Sequence, residues 1–182
     1  TIASLGTETF GYDELGNVLT AVDIYGNRIT NDYNGWGNLI NTTDQFDNSV
    51  SFNLEWGTLS DPVGTIFKSE KTSLNSPSAT EYIDFAGRVV RTKSEGFSGI
   101  NYYVDREFNN RNLIERQTNV YQQGMVENWN TYSYYDLTDG RLNSINYHSG
   151  TTINFTYTEN KVTQKVNNKS YIKEFDAQGL LT

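Results

Sequence analysis

The 182-residue chain has no cysteine, only two prolines, one methionine and one histidine. Without cysteine there is neither a disulfide framework nor a thiolate metal site. Few prolines suit a chain that is mostly hydrogen-bonded ladder, since each proline removes a backbone donor. Positive charge is also scarce: 14 Lys and Arg against 22 Asp and Glu leave a net charge of −8. No basic stripe exists to displace counterions, so nucleic acid is excluded as a partner. An anionic membrane surface is disfavoured for the same reason. No run is long and apolar enough to insert in a bilayer. The chain starts at Thr1, which reads as a processed or excised protein. Aromatics, by contrast, are plentiful: 13 Tyr, 9 Phe and 3 Trp within a hydrophobic total of 36%. Such an apolar payload suits half-buried strands.

The organising motif is Tyr12-Asp13-Glu14-Leu15-Gly16-Asn17-Val18. Asp13 at the head of a turn can bind the amide two residues on. Gly16 at its end can take the left-handed conformation of a type I turn with a bulge. The motif returns at Asp23–Gly26, at Asn34–Gly37 and at 44–48, where Asp47 holds the glycine seat. The steps are 10, 11 and 10 residues (23−13, 34−23, 44−34). Further copies start at Asp61, with Pro62 second in the turn, at Asp84 with Gly87, and at Asp176 with Gly179. A shortened copy has Asn112 in the left-handed seat, and one beginning at Tyr135-Asp136 carries an extra residue before Gly140. Simpler turns fall near Gly96, Gly124 and Gly150, and Asn167-Asn168 reads as a two-residue hairpin turn.

Between the turns, Val50, Phe52 and Leu54 alternate with Ser51 and Asn53, as do Ile153, Phe155 and Tyr157 with Asn154 and Thr156. That period of two marks strands with one buried face. Ile66–Leu74 reads as one strand, and Asn75-Ser76-Pro77-Ser78 as a loop. No long segment keeps a helical period. The expectation is an all-β chain of consecutive antiparallel hairpins in one or two strongly twisted, curved sheets. It forms one domain over 1–182, and if the array has a seam it lies at 55–80, between repeat blocks 1–54 and 81–182.

An aromatic residue followed by Asp-x-x-Gly-(Asn/Arg)-(Leu/Val) resembles the tyrosine-aspartate (YD) repeat of the bacterial Rhs family. Tyr12 opens the best copy; those at Tyr33, Tyr135 and Phe175 are near matches. The resemblance implies long sheets of hairpins that coil into a shell around cargo, and some relatives are cell-surface proteins described as carbohydrate-binding. Asp61-Pro62-Val63-Gly64 is similar to the Asp-Pro-x-Gly at which Rhs cores cut themselves, but here it lies mid-chain and reads as a plain turn.

Candidate chemistry is sparse. His148 has no cysteine or second histidine to complete a triad or zinc site. Asp44, Asp47 and Asn48 are the densest oxygen cluster, yet they match no calcium-loop spacing. Carboxylates at turn heads are explained by turn capping. No catalytic residue, metal or cofactor is expected. The expected function is a non-enzymatic, secreted or cell-surface scaffold whose partners are neighbouring repeats of the same or a larger protein, with weak self-association through sheet edges. The alternative is a carbohydrate-binding module in which Trp36, Tyr25, Trp56 and Trp129 stack on sugar faces. Trp36, inside a turn, is the first candidate.

Overall fold

The computed structural model describes residues 6–74, 76–135, 140–176 and 181. It is an all-β meander of sixteen strands, and among the described residues the only helical element is a three-residue 3-10 turn, Phe97–Gly99. The chain divides into two compact units, Thr1–Asn101 and Tyr102–Thr182.

The first unit holds β1 (Thr9–Tyr12), β2 (Val18–Val22), β3 (Arg28–Tyr33), β4 (Leu39–Asp44), β5 (Ser49–Trp56), β6 (Thr65–Ser73), β7 (Ser76–Asp84) and β8 (Val89–Glu95). Each strand pairs antiparallel with the next. The second unit opens with β9 (Asn101–Phe108) and continues through β10 (Ile114–Thr118), β11 (Tyr121–Gln122), β12 (Trp129–Tyr134), β13 (Leu142–Asn146), β14 (Thr152–Thr158), β15 (Lys161–Val166) and β16 (Lys169–Glu174). There β11 folds back on β9, and β10 pairs β12 directly.

Register sorts the side chains by face, because residues opposite each other across a ladder share a side of the sheet. In the first unit Thr20, Thr30, Thr43 and Ser49 form one cross-strand row. Thr43 Oγ1 lies 2.9 Å from Ser49 Oγ. In the second unit Ser133, Ser144, Asn154 and Lys165 form a polar row, while Tyr132, Ile145, Ile153 and Val166 form an apolar one on the opposite face. Among the described residues no apolar side chain is fully buried; the buried ones are Thr80, Asp84, Asp105, Thr118 and Asn130. The aromatic residues therefore line half-buried faces and do not build an enclosed core.

Several of these aromatics act as tethers. The Tyr33 hydroxyl donates to the Val18 carbonyl at 3.1 Å, Tyr134 to Ile114 at 2.8 Å and Tyr135 to Phe155 at 2.6 Å. Tyr33 and Tyr135 are the aromatics that precede the turn motif. Each phenol spans from one strand's end to a carbonyl on another strand.

The turns expected at 13–16, 23–26, 34–37, 44–47, 84–87 and 109–112 all form. In each, the fourth residue's amide donates to the first residue's carbonyl at 3.0–3.2 Å. Gly16, Gly26, Gly37 and Gly87 have φ of 86°, 85°, 77° and 76°, and Asp47 and Asn112 take the same seat at 62° and 60°. Asn167, at φ 52°, likewise supplies the left-handed residue of its hairpin. The turn of 136–139 and that of 176–179, with Gly179, lie outside the described residues.

Two local readings need correction. Asp61 does not head an Asp-Pro-Val-Gly turn. The closing bond runs from Thr65 N to the Pro62 carbonyl at 3.0 Å, which puts Gly64 third, at φ 88°. A positive φ at the third position is the type II requirement. Asp61 instead caps backward, accepting from Thr58 N at 2.7 Å and Thr58 Oγ1 at 2.9 Å. The second correction concerns Ser76–Ser78, which belong to β7 and not to a loop. Lys71 faces Ala79 and Ser73 faces Ser76, so Pro77 sits in a bulge opposite Thr72. Bulges are where a strand can hold a residue without a donor.

Nothing lies within 4 Å of a Cβ added at Gly16, Gly26 or Gly87, so substitution there meets only backbone strain. Each Gly→Ala change is expected to lower stability by about 1 kcal/mol, with Gly→Asn costing less. Urea unfolding of the six single variants checks this; equal losses for Ala and Asn at all three positions would contradict the left-handed assignment.

Candidate functional site

The chemistry of the chain is concentrated at its turns. Asp13 Oδ1 accepts from Leu15 N at 2.9 Å and from Asn17 N at 2.8 Å, while Oδ2 accepts from the Asn17 side-chain amide at 2.8 Å. One carboxylate thus closes the turn with three bonds. Asp23 with Asn27 and Asp44 with Asn48 repeat the arrangement, with side-chain bonds of 2.7 and 2.8 Å. At Asp84 the donor is Arg88, whose Nε lies 2.7 Å and Nη2 2.6 Å from Oδ2. The residue after the glycine is therefore a clasp donor. This role is visible in the sequence only as the Asn-or-Arg preference at that position.

The bonds lower the pKa of these acids. The Asn17, Asn27 and Asn48 side chains are the leading cause at Asp13, Asp23 and Asp44. At Asp84, only 5% exposed, burial pushes the carboxyl up, but the bonds from Arg88 and Ala86 outweigh it and the net shift is downward. In the second unit a buried polar group holds the short β11 in place. Tyr121 donates to Asp105 Oδ2 at 2.6 Å, and Asp105 N donates to Thr118 Oγ1 at 2.9 Å. Asn130 joins Asn119 at 2.8 Å and accepts the His148 backbone amide at 3.0 Å. His148 occupies the second position of the Tyr147–Gly150 turn.

The tryptophans and tyrosine proposed for sugar stacking are placed unequally. Trp36 is 90% exposed, Tyr25 83% and Trp56 79%. Trp129 is already engaged: Arg116 lies 4.5 Å over its ring and its indole N–H donates to Glu127 at 3.1 Å. Arg116 is fixed in turn by Glu107, with Nη2 to Oε1 at 2.6 Å. Tyr25 and Trp36 share a register with Leu15 and Phe46. All four stand third in successive turns and are at least 74% exposed. Large apolar side chains at that seat contribute nothing to the closing bonds of the turn.

In a meander, successive turns alternate between two rims, so Tyr25 and Phe46 lie on one rim and Leu15 and Trp36 on the other. Turns on the same rim touch. A Cβ built on Gly37 would meet the Asn17 side chain at 3.8 Å, and Gln45 donates to Asn27 Oδ1 at 2.8 Å.

Among the open grooves of the first unit are two lined by residues of β5 and β6. One, of about 120 Å³, is lined by alternating charges that include Glu55, Lys68, Glu70 and Lys93. Lys68 Nζ is 3.2 Å from Glu55 Oε2, and the Asn53 amide and this lysine together hold the Glu55 carboxyl below its usual range. The other, of about 300 Å³, runs beside the Asn34–Gly37 turn.

The sequence matches no family model and no curated protein. Solved structures do resemble it. The TcdB2-TccC3 crystal structure aligns with a TM-score of 0.54 and 13% identity, covering 97% of this chain and 14% of that one. The TcdB2-TccC3-Cdc42 structure aligns with a TM-score of 0.52 and 12% identity, covering 98% of this chain and 11% of that one. The likeness is one of fold. It is consistent with the YD-repeat resemblance read from the sequence, and this chain spans only a small part of the length of either relative.

Because the clasp carboxylates have lowered pKa values in the fold, the stability they contribute is complete above the ordinary aspartate value of 3.8 and is lost as pH falls through their folded values. Asp84→Asn is expected to cost about 2 kcal/mol at pH 7, the scale of a charge-assisted bond. The gap from the native chain should narrow as pH drops below about 4, and denaturant titrations from pH 7 to 2.5 measure it. Asn34 is the one turn head in the first four copies that lacks a second acceptor oxygen. Asn34→Asp should let Asn38 complete the clasp and raise stability by about 0.5–1 kcal/mol at pH 7, a gain that disappears in acid.

Proposed function

We propose that this chain is a non-enzymatic repeat module, serving as scaffold or interaction surface within a larger, extracellular bacterial envelope or Rhs-like protein. One observation carries the reading: hairpin follows hairpin, the turns at 13, 23, 44 and 84 are closed by the same local clasp, and among the described residues no apolar side chain is fully buried. Such a chain gains its order from neighbours in sequence, as stacked repeats do, and offers sheet faces and rims along its length. The carboxylates at 13, 23, 44 and 84 support the same reading, because their lowered pKa values follow from turn closure. The fold likeness to segments of much longer chains is in keeping with it. Its partners on this reading are further repeats of the same or a larger protein.

A second reading, carbohydrate binding, draws on the exposure of Trp36, Tyr25 and Trp56. Exposed aromatic rings unpaired with the fold are suited to stacking on sugar faces.

A repeat module makes a prediction that an integrated globule does not. A chain ending after Asn101 should keep the β circular dichroism signal of β1–β8, with its urea m value reduced in rough proportion to the residues removed. Complete unfolding of that shortened chain would remove the basis for the module reading.

A further inference from the structure

One face of β5–β8 holds two cross-strand rows side by side. Register opposes Glu55 with Lys68 and Lys68 with Tyr82. Two residues along the same strands, it opposes Asn53 with Glu70, Glu70 with Thr80 and Thr80 with Lys93. The first row is closed on itself. Lys68 Nζ lies 3.2 Å from Glu55 Oε2, and Asn53 reaches over to donate to Glu55 Oε1 at 2.8 Å. The second row is not closed. Among the described residues Glu70, Thr80 and Lys93 make no side-chain hydrogen bond and no ion pair.

All three are withdrawn from open water. Thr80 is 7% exposed, and Glu70 and Lys93 are half-buried. A half-buried charge without a partner is uncommon, since long charged side chains either extend into water or pair. No fully enclosed side-chain oxygen or nitrogen among the described residues lacks a partner. The unpartnered Thr80 hydroxyl therefore keeps some access, through the groove it lines. That groove is the one of about 120 Å³, and Glu70 and Lys93 line it too, beside Asn53, Glu55 and Lys68. With Glu55 and Lys68 spent on each other, one carboxylate, one hydroxyl and one ammonium are left along it.

We infer that this groove binds a small zwitterion, an α- or β-amino acid, with its ammonium on Glu70, its carboxylate on Lys93 and the Thr80 hydroxyl between them. Charge decides the class. A lone cation would leave Lys93 covered and unpaired, a lone anion would do the same to Glu70, and an uncharged ligand would do it to both. The Thr80 hydroxyl can donate to the ligand's carboxylate. Span decides the size. Glu70 and Lys93 sit on β6 and β8, either side of β7, and so about 9.5 Å apart at the backbone. Two charge-assisted bonds of about 2.8 Å each leave about 4 Å for the ligand's own charge separation. An α- or β-amino acid meets that separation, and a longer chain exceeds it.

Titration of the full, isotope-labelled chain with glycine and with β-alanine, followed through its amide chemical shifts, tests this. Saturable shifts centred on β6–β8 are expected, with a Kd on the order of 1 mM. Acetate, methylammonium and aminohexanoate should bind at least about tenfold more weakly, the loss of one good polar contact. Glu70→Gln, Lys93→Met and Thr80→Val should each weaken amino-acid binding by a similar factor. Glu81→Gln, on the opposite face of β7, should leave it unchanged. None of the three site residues has a partner in the fold. The thermal midpoints of Glu70→Gln and Lys93→Met should therefore stay level, and that of Thr80→Val should stay level or rise. Midpoints that fall together in Glu70→Gln and Lys93→Met would show the two charges paired with each other and overturn the site. Acetate or methylammonium binding as tight as β-alanine would overturn the ligand class. No saturable shift with either amino acid, or binding that survives all three substitutions, would overturn the proposal and leave the scaffold reading standing.

Discussion

The structure depends on a carboxylate placed at the head of a five-residue turn. A type I turn with a bulge leaves two backbone amides pointing inward, at the third and fifth residues. Asp13 Oδ1 satisfies both, at 2.9 and 2.8 Å, and Asp84 does the same at 2.9 Å each. Because the turn is stabilised by atoms within its own five residues, strand pairing on either side starts from a fixed register. Beside the turns at 13 and 34 a bulge is the visible consequence: Gly11 faces Thr20 but Tyr12 faces Val18, and Asp32 faces Asn41 but Tyr33 faces Leu39. A register fixed at every turn keeps polar rows on one face of each ladder and apolar rows on the other.

Locally closed hairpins change what burial has to supply. In an ordinary domain an enclosed apolar core offsets the entropy of ordering the chain. Here the fully buried side chains among the described residues are polar, and the best enclosed is Thr118, at 2%. Its hydroxyl accepts from Asp105 N, so its burial leaves no orphaned group. Half-buried rings such as Tyr33, Tyr134 and Tyr135 combine apolar contact with a hydroxyl that satisfies a backbone carbonyl on another strand. The tyrosine preference of the repeat has a physical reason in this double duty, which phenylalanine could fill only in part.

The turns were legible in the sequence because their chemistry is short-range. Asp or Asn at the head and Gly, Asp47 or Asn112 in the left-handed seat are constraints of a few bonds, and they predict the hairpin wherever they recur. The misreadings came where longer-range pairing decided. Pro77 looked like a loop residue until the register of β6 against β7 placed it in a bulge. Pro62 looked like a second turn residue, but Asp61 turned its carboxylate back to Thr58 and the closing bond moved one residue on. The candidate site divided the same way. The exposure of Trp36 followed from its place in a turn. The engagement of Trp129 by Arg116 depended on β10 lying beside β12, which no local pattern announces.

A repeat in which one interaction does most of the structural labour makes its exceptions informative. Exchanging an oxygen for an NH₂ group at Asn34 leaves the backbone bonds of the turn intact, since Oδ1 still accepts both amides at 3.0 Å. The second terminus becomes a donor where its neighbours have an acceptor, so a pairing with the following asparagine can only run the other way, from the Asn34 NH₂ to the Asn38 oxygen, and without the charge that strengthens the other clasps. The turn survives the exchange because its register is held by the two backbone amides on one oxygen. The side-chain clasp adds to that closure without being required for it, which is why the head of the turn can be Asn or Asp while the left-handed seat four residues into the turn stays restricted to Gly, Asp47 or Asn112.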